Sequence, residues 1–219
     1  MTEQNYRRSK LKTAYEECPI YGITGGSRDV VTLVKAMLEG GIRIIQYREK
    51  HKTPMIRYPE ALALRQLTNL YGALLIIDDY VDLAIAVEAD GVHIGQDDLP
   101  PTVVRRIVGN EMIIGWSTHK IEDIEAANRY ADSIDYIGVG PIYATQTKPN
   151  AYPVGLAYVR YAAQHSVLPT VAIGGIKIHN ASAVWAEQPT MICAVSEITE
   201  AEHMADVIEQ LWCKTVLVL

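Results

Sequence analysis

Cysteine is scarce in this sequence, and its few copies show no pairing pattern. Among 219 residues only Cys18, Cys193 and Cys213 occur, scattered along the chain. There is no Cys-x-x-Cys motif, and no cysteine or histidine spacing suits zinc. An odd, scattered set argues against a disulfide framework and favours a reducing compartment. Cys193 falls inside a predicted strand and is interpreted as a small core residue.

Long apolar runs are absent as well. No stretch approaches the length that a membrane-spanning helix needs. Residues 1–19 are polar and charged, without the apolar run of a signal peptide, and the apolar stretch at 216–219 is far too short to span a membrane. We therefore predict a cytoplasmic location.

Positive charge is in deficit, with 20 Lys and Arg against 26 Asp and Glu. The resulting net charge of −6 argues against a surface that binds nucleic acid. Small anionic substrates are still compatible with it, because a local basic cluster or a metal ion can invert the local field. We therefore predict small-molecule partners, with no nucleic acid and no membrane, and the composition is compatible with a homo-oligomer.

Two kinds of apolar segment alternate along most of the chain. Short continuous apolar runs, typical of parallel strands covered on both faces, are each followed by a segment with helical spacing of apolar residues. Eight such units in about 200 residues predict an α/β fold, the (β/α)8 TIM barrel. The alternative is an open doubly wound sheet, which is disfavoured because no Gly-x-Gly-x-x-Gly opens the first helix. The strands are predicted at 20–24, 42–47, 73–77, 91–94, 112–116, 134–139, 170–173 and 191–195, and the helices at 30–38, 54–71, 81–87, 100–108, 121–131, 156–165, 181–187 and 201–213.

The unbroken series of repeats predicts one globular domain. An apolar fraction of 49% and a charged fraction of 21% are ordinary for a soluble domain, and a chain of this length can bury a large core. We expect a barrel domain over residues 20–213. Residues 1–19 are expected to form a short polar N-terminal extension, helical near 11–17, and residues 214–219 a C-terminal tail.

In a barrel of this kind, binding and catalytic residues gather where the strands end. One such stretch, from Gly138 to Lys148, joins glycines, hydroxyls and an ammonium group after a buried strand. Thr145 and Thr147 are two residues apart, so they point the same way if the loop is extended, and Lys148 adds a mobile cation with three donors. These groups suit a phosphate-bearing ligand. The alternative is a solvated loop with incidental hydroxyls.

Acidic and basic residues follow three of the predicted strands. The pairs Asp78-Asp79 and Asp97-Asp98 come after neighbouring strands and suggest a hard cation such as Mg²⁺. The alternative for each pair is helix capping. Arg48 and Lys50 lie on one side of an extended chain and could bind a pyrophosphate together with Lys148. Their alternative is a surface ion pair with Glu49.

The last two strands are followed by the elements of a barrel phosphate site. Gly174-Gly175 comes after the seventh strand, and Val195-Ser196 after the eighth. Backbone N–H groups at such a place can point at a phosphate. The alternative for the glycines is a tight turn. His93 is expected to face the barrel layers, His119 receives no role, and no Ser/His/Asp triad or activated cysteine is evident.

These motifs together resemble those of the thiamine-phosphate synthase family. The resemblance runs from about Ile20 to Trp212 in the same order, and the family fold is a TIM barrel. It implies a transferase that joins an aminopyrimidine-methyl pyrophosphate to a thiazole phosphate, giving thiamine phosphate and pyrophosphate. The matching stretches are Gln46 to Lys50, Gly91 to Pro100, Gly115 to His119, Gly138 to Lys148, Ala172 to Ile176 with Asn180, and Ala194 to Ser196.

The resemblance also implies roles for single residues. Asp79 and Asp98 would bind Mg²⁺, the implied cofactor. Because the leaving group is an anion, the metal and nearby cations would stabilise the charge that develops on it. The implied catalytic residues are Arg48, Lys50, Lys148 and Ser117. The pyrimidine substrate would be held by Gln46, Arg48, Lys50, Asp78, Ser117 and Lys148, and the thiazole phosphate by Thr145, Thr147, Gly175, Val195 and Ser196.

One position departs from the family pattern, and two other functions stay open beside the synthase. The family usually has Asn before the first metal-binding Asp, where this chain has Asp78. Ionised Asp can only accept hydrogen bonds and repels an anion, so we expect Asp78 to weaken pyrophosphate binding. The first alternative function is the thiazole tautomerase of the same fold, which needs no pyrophosphate site. The second is a regulatory barrel that binds the thiazole phosphate without turnover.

Overall fold

Eight parallel strands, all within the described residues 2–26, 28–145 and 152–213, form the wall of a barrel. In this computed structural model each strand pairs with the next in chain order. The ring closes where Ile20 pairs with Ile192, whose amide donates to the carbonyl of Pro19 at 3.0 Å. The predicted (β/α)8 barrel is confirmed. The strands are β1 (Tyr21–Ile23), β2 (Ile44–Tyr47), β3 (Leu74–Asp78), β4 (Gly91–Ile94), β5 (Ile113–Thr118), β6 (Tyr136–Val139), β7 (Thr170–Ile173) and β8 (Met191–Cys193).

Helices connect the strands and cover the outside of the barrel. None of those in the described ranges is long and apolar enough to cross a membrane. Asp29 caps the second helix by accepting the amide of Thr32 at 2.9 Å, and this hydrogen bond lowers the pKa of Asp29. The helices are α1 (Glu3–Glu17), α2 (Val30–Glu39), α3 (Pro54–Leu70), α4 (Val81–Ala86), α5 (Pro101–Val108), α6 (Ile121–Arg129), α7 (Gly155–His165), α8 (Ile178–Trp185), α9 (Val195–Thr199) and α10 (Met204–Cys213).

Successive strand residues serve two different apolar cores. Ile44 and Ile113 belong to the core inside the barrel, whereas their neighbours Ile45 and Ile114 belong to the core between strands and helices. The alternation follows from the two-residue period of a strand. Because both faces are buried, most strand positions are apolar, which explains why the strands read as continuous apolar runs.

The N-terminal segment packs on the barrel. It forms a helix from Glu3, longer than the predicted 11–17, and places Leu11 and Ala14 in the core inside the barrel. Its polar residues bind groups that precede the strands: Lys10 contacts Asp90 at 2.6 Å, just before β4. Helix α1 therefore covers the end of the barrel at which the strands begin, opposite the predicted site.

Three boundaries near the end of the chain differ from the predictions. Val195, placed inside the eighth strand, is the first residue of α9, because the sequence from 191 to 198 is apolar enough to suit either structure. Helix α8 begins before residue 181: the Asn180 side-chain oxygen accepts the amide of Lys177 at 2.8 Å, a cap that the lysine conceals in the sequence. The last helix begins at Met204 rather than 201.

Candidate active site

A cleft of about 920 Å³, its open mouth included, lies where the strands end. The site-forming residues reach it because parallel strands all end at the same rim. A second depression adjoins it and shares Arg48, Thr145 and Ser196. The predicted site residues that line the cleft are Gln46, Arg48, Asp78, Ser117, Thr145, Gly175, Val195 and Ser196.

Paired charges from the ends of β2 and β3 lie at one side of the cleft, one pair in its lining and the other outside it. Arg48 Nε lies 3.4 Å from Asp78 Oδ2, and Lys50 Nζ lies 2.9 Å from Asp79 Oδ2. Thr24 fixes the backbone here, because its hydroxyl accepts the amide of Arg48 at 2.8 Å. Asp78 is 6% exposed and Lys50 lies at the surface. The arrangement presents cations that are balanced by carboxylates within contact distance.

The carboxylates of Asp79 and Asp98 are the candidate metal ligands. Asp79 has a left-handed backbone with φ of 64°, which turns the chain at the end of β3. Asp98 is exposed, and its Oδ2 accepts the amide of Gly95 at 2.7 Å. Within the described residues, no group of three or more His, Cys, Asp or Glu side chains surrounds a common point. Two carboxylates with few other protein ligands fit Mg²⁺, which keeps waters and binds substrate phosphates.

Hydrogen-bonded side chains run through the middle of the cleft. The His93 ring lies 2.9 Å from the Ser117 hydroxyl and 3.1 Å from the Tyr136 hydroxyl. Tyr136 in turn contacts Tyr21 at 2.7 Å, and the Gln46 amide donates to Tyr21 at 3.2 Å. Burial raises the pKa of both phenols well above its usual value, so both keep their protons. The two phenols at the cleft centre are thus neutral and polar.

The opposite side of the cleft is built from the ends of β7 and β8. Lys177 Nζ donates to the Ser196 hydroxyl at 3.0 Å and pairs with Glu197 at 3.0 Å. Burial acts to raise the pKa of Glu197, but the amide of Ile178 and the Lys177 ammonium outweigh it and lower that pKa. Lys177 lines the adjoining depression with Gly175 and Ser196. This side offers hydroxyls, backbone amides and a cation, which suits a phosphate.

Gly175 is required on this side by both conformation and space. Its φ is 64°, and an added Cβ would lie 2.7 Å from the carbonyl oxygen of Ala144 and 2.7 Å from the Cβ of Tyr143. Gly72 has the same φ of 64° but nothing within 4 Å of an added Cβ. The two glycines therefore separate the cost of the backbone conformation from the cost of the clash.

Gly175→Ala is expected to destabilise the fold by about 2–4 kcal/mol, against about 1 kcal/mol for the matched Gly72→Ala. The excess reflects the clash with the loop at 143–144. Urea unfolding of both variants measures the difference. Steady-state kinetics should show, in Gly175→Ala alone, a raised KM for the substrate whose phosphate binds at this side of the cleft. Equal losses of stability in the two variants would contradict this account of the loop.

The structure places the predicted site residues in three groups. Thr147 and Lys148 lie outside the described residues. Lys50, Asp79 and Asp98 lie at strand ends but do not line the main cleft. The remaining predicted residues converge on the cleft.

Sequence reasoning missed several cleft residues. Tyr21 and Tyr136 were treated only as strand residues, yet both line the cleft. Lys177 is absent from the predicted site, although its position directly after Gly174-Gly175-Ile176 indicates a place beside the phosphate-binding turn. His93 faces the barrel interior as predicted, but it also contacts Ser117. His119, which received no role, lines the cleft through a ring that hydrogen-bonds the carbonyl of Gly140.

Comparison with known proteins identifies the family. The family model described as thiamine monophosphate synthase matches residues 20–198. Thiamine-phosphate synthase of Caldicellulosiruptor bescii is 46% identical over 211 residues, covering 94% of this chain and 95% of the relative. The enzyme of the same name from Caldicellulosiruptor saccharolyticus is 47% identical over 198 residues, covering 88% and 89%.

Solved structures agree. Thiamine phosphate pyrophosphorylase from Pyrococcus furiosus superimposes with a TM-score of 0.84 at 34% identity, over 94% of this chain and 98% of that one. The 3-hexulose-6-phosphate synthase of Salmonella typhimurium, with a TM-score of 0.68 at 12% identity over 90% and 98% of the two chains, shares the fold alone. The barrel, the cleft and the sequence relationships lead to one conclusion: the chain belongs to the thiamine monophosphate synthase family.

Proposed function

We propose that this protein is a thiamine-phosphate synthase. It condenses 4-amino-2-methyl-5-(diphosphooxymethyl)pyrimidine with 4-methyl-5-(2-phosphooxyethyl)thiazole, and the products are thiamine phosphate and pyrophosphate. The observation that carries the proposal is the layout of one cleft, with charged residues on one side, a hydrogen-bonded polar centre, and hydroxyls with a lysine on the other. The proposal includes the barrel, residues 20–213, as the catalytic domain and the cytoplasm as its location.

The charged side suits the pyrophosphate of the pyrimidine substrate. Arg48 offers a planar fork of donors that matches phosphate oxygens, and Lys50 offers a point charge. Each cation is paired with a carboxylate, so the substrate competes with Asp78 for Arg48 and with Asp79 for Lys50. Lys148 completes this set on sequence grounds. As the bond to the leaving group breaks, these cations stabilise the charge that develops on pyrophosphate.

Mg²⁺ belongs to the same side in this proposal. Asp79 and Asp98 would hold it, because their oxygen donors and small number fit an ion that retains substrate oxygens and waters in its shell. When bound, the ion would neutralise pyrophosphate and make it a better leaving group. Lys50, 2.9 Å from Asp79 Oδ2, adds a further positive charge beside this site.

The thiazole phosphate is assigned to the other side. Ser196 and Thr145 supply hydroxyls, the backbone of Gly175 and Val195 supplies amides, and Thr147 joins them on sequence grounds. All of these groups donate to a phosphate without needing a proton transfer. Fixing the phosphate here sets the position of the thiazole ring between the two sides of the cleft.

The reaction needs positioning more than acid–base chemistry. The bond from the pyrimidine methylene carbon to the pyrophosphate oxygen breaks, and its electron pair leaves with pyrophosphate. The thiazole nitrogen lone pair then forms the new bond to that carbon, so atoms and charge balance without a protein base. The cleft residues hold the two partners together and limit the access of water to the cationic carbon.

Asp78→Asn is expected to improve binding of the pyrimidine pyrophosphate. The substitution removes a carboxylate that lies 3.4 Å from Arg48 Nε and replaces it with an amide that can donate. We expect KM for that substrate to fall several-fold, with KM for the thiazole phosphate unchanged. Asp82→Asn, on the exposed face of α4, is the matched control and should leave both constants alone. Unchanged kinetics for Asp78→Asn would refute the role given to this carboxylate.

A product assay tests the proposal against its two alternatives. Purified protein is mixed with both substrates, with and without Mg²⁺, and thiamine phosphate is quantified; a parallel reaction contains only the thiazole carboxylate phosphate that a tautomerase would isomerise. The synthase predicts thiamine phosphate in the first reaction and an unchanged thiazole in the second. Isomerisation of the thiazole without thiamine phosphate would assign a tautomerase, and binding without either product a regulatory barrel.

A further inference from the structure

Five side chains form one hydrogen-bonded series through the barrel interior. Gln46 Nε2 lies 3.2 Å from the Tyr21 hydroxyl, which lies 2.7 Å from the Tyr136 hydroxyl. Tyr136 lies 3.1 Å from His93 Nδ1, and His93 Nε2 lies 2.9 Å from the Ser117 hydroxyl. All five side chains line the cleft, and Gln46 and Ser117 are the two ends of the series.

Three of the five side chains are buried, and the fold makes room for the series. Tyr21 and Tyr136 are each 1% exposed and Gln46 is 3% exposed. A Cβ on Gly115 would lie 2.1 Å from Tyr136 Cζ and 2.5 Å from His93 Nδ1. Only a residue without a side chain at position 115 lets the phenol and the imidazole meet, so the contact between them is a built feature of the barrel.

The directions of the hydrogen bonds follow from the first one together with the need of each buried phenol hydrogen for an acceptor. A phenol has one hydrogen to donate. The Gln46 amide donates to Tyr21, so both phenol hydrogens have an acceptor in the series only when Tyr21 donates to Tyr136 and Tyr136 donates to His93 Nδ1. An imidazole that accepts at Nδ1 carries its proton on Nε2 and donates from there to Ser117. The Ser117 oxygen then accepts from His93, and its hydroxyl hydrogen can donate to a ligand in the cleft.

We propose that Tyr21, Tyr136 and His93 are positioning residues. The two tyrosines hold His93 as the Nε2–H tautomer. The series thereby fixes Ser117 as a hydrogen-bond donor and Gln46 as a hydrogen-bond acceptor toward the substrate. Hydrogen bonds in series reinforce one another in a buried site, so the polarity is set by the whole series. If every hydrogen bond ran in the opposite direction, Gln46 would accept from Tyr21 and donate to the substrate, and Ser117 would donate to His93 and accept from the substrate. The cleft would then present the reverse pattern.

The effect of this arrangement on substrate recognition rests on the proposed function. The aminopyrimidine carries an exocyclic amine, which donates, beside a ring nitrogen, which accepts. An acceptor oxygen on Gln46 and a donor hydroxyl on Ser117 match those two groups. Substrate analogues with the donor or acceptor removed would leave a polar group of the site unpaired, which is how such sites discriminate strongly.

The tautomer of His93 tests the inference in the protein without substrate. Histidine is labelled with ¹⁵N, and the ring nitrogens are observed at neutral pH through their long-range couplings to ring protons; His93→Gln assigns the signals. We expect a protonated Nε2 and an unprotonated Nδ1. A proton on Nδ1, in either the other neutral tautomer or a doubly protonated ring, would overturn the inference. Because no turnover is involved, this result is independent of the enzyme assay.

A substitution in the middle of the series tests its effect on the substrate. Tyr136→Phe is expected to lower kcat/KM for the pyrimidine pyrophosphate about tenfold and leave KM for the thiazole phosphate unchanged. It should also reduce, by a similar factor, the preference for this substrate over an analogue with hydrogen in place of the amine. Tyr158→Phe, which removes another buried hydroxyl that donates to the Lys120 carbonyl, is the control and should keep the preference. Equal preferences in Tyr136→Phe and wild type would contradict the role of the series.

Discussion

Arg48→Ala is expected to lower kcat/KM for the pyrimidine pyrophosphate by about 10²- to 10³-fold, the loss that follows removal of one preorganised donor to a developing anion. Arg48 is preorganised because Thr24 accepts its amide at 2.8 Å while the guanidinium lies 3.4 Å from Asp78. Without it, the Asp78 carboxylate loses its contact with the guanidinium, and its repulsion of the pyrophosphate adds to the lost attraction. Steady-state kinetics with each substrate varied in turn measure the effect.

Two further variants show whether the effect belongs to the site. Arg48→Lys keeps the charge but loses the planar fork, so its activity should fall between those of wild type and Arg48→Ala. Arg106→Ala removes an exposed arginine from α5 and should leave the kinetics unchanged. An Arg48→Ala enzyme within threefold of wild type would show that pyrophosphate is not bound at this side of the cleft.

Arg7→Met is expected to destabilise the protein by about 3 kcal/mol, the cost of breaking a buried ion pair. Arg7 is 2% exposed; its Nε lies 2.7 Å from Asp135 Oδ1, and its Nη1 donates to the Asn110 carbonyl at 2.7 Å. Asp135 keeps Arg105 at 2.9 Å, which limits the loss. Burial lowers the pKa of Arg105 to about 10, partly offset by Asp135, so this neighbour still carries its charge at neutral pH.

Thermal unfolding measures this effect, and turnover shows where it is located. A loss of about 3 kcal/mol corresponds to a Tm lower by about 6–12 °C for a chain of this size. Lys12→Met is the control, because Lys12 pairs with Glu16 at the exposed surface of the same helix and should change stability by less than about 0.5 kcal/mol. Below its Tm, Arg7→Met should retain wild-type kcat, since α1 covers the far end of the barrel. A Tm within 2 °C of wild type would mean that α1 does not hold that end closed.

The sequence was sufficient for the barrel because its strands are buried on both faces. Such strands are continuous apolar runs, and eight of them at regular intervals leave few alternatives. Helix α1 was foreseen only in part, because its first half is polar all round and its stabilising partners, such as Asp135, are more than a hundred residues away. Periodicity contains no information about such contacts.

The site could be predicted where motifs are local, and it was missed where partners are distant. Arg48, Ser117 and Gly175 follow strand ends, so position alone indicates them. Tyr21 and Tyr136 look like ordinary strand residues, and their contact across 115 positions becomes visible only when β1 and β6 share one interior. Lys177 was concealed for another reason: its partner Glu197 follows a different strand.

The central claim is that one cleft binds both substrates and transfers the pyrimidine to the thiazole nitrogen. It is tested most directly by measuring thiamine phosphate and pyrophosphate in the same reaction, at several times, with Mg²⁺ and with a chelator. We predict the two products in a 1:1 ratio with Mg²⁺ and a large loss of both with the chelator. Pyrophosphate released without thiamine phosphate would contradict the claim, because it would mean that water, and not the thiazole, reaches the pyrimidine carbon.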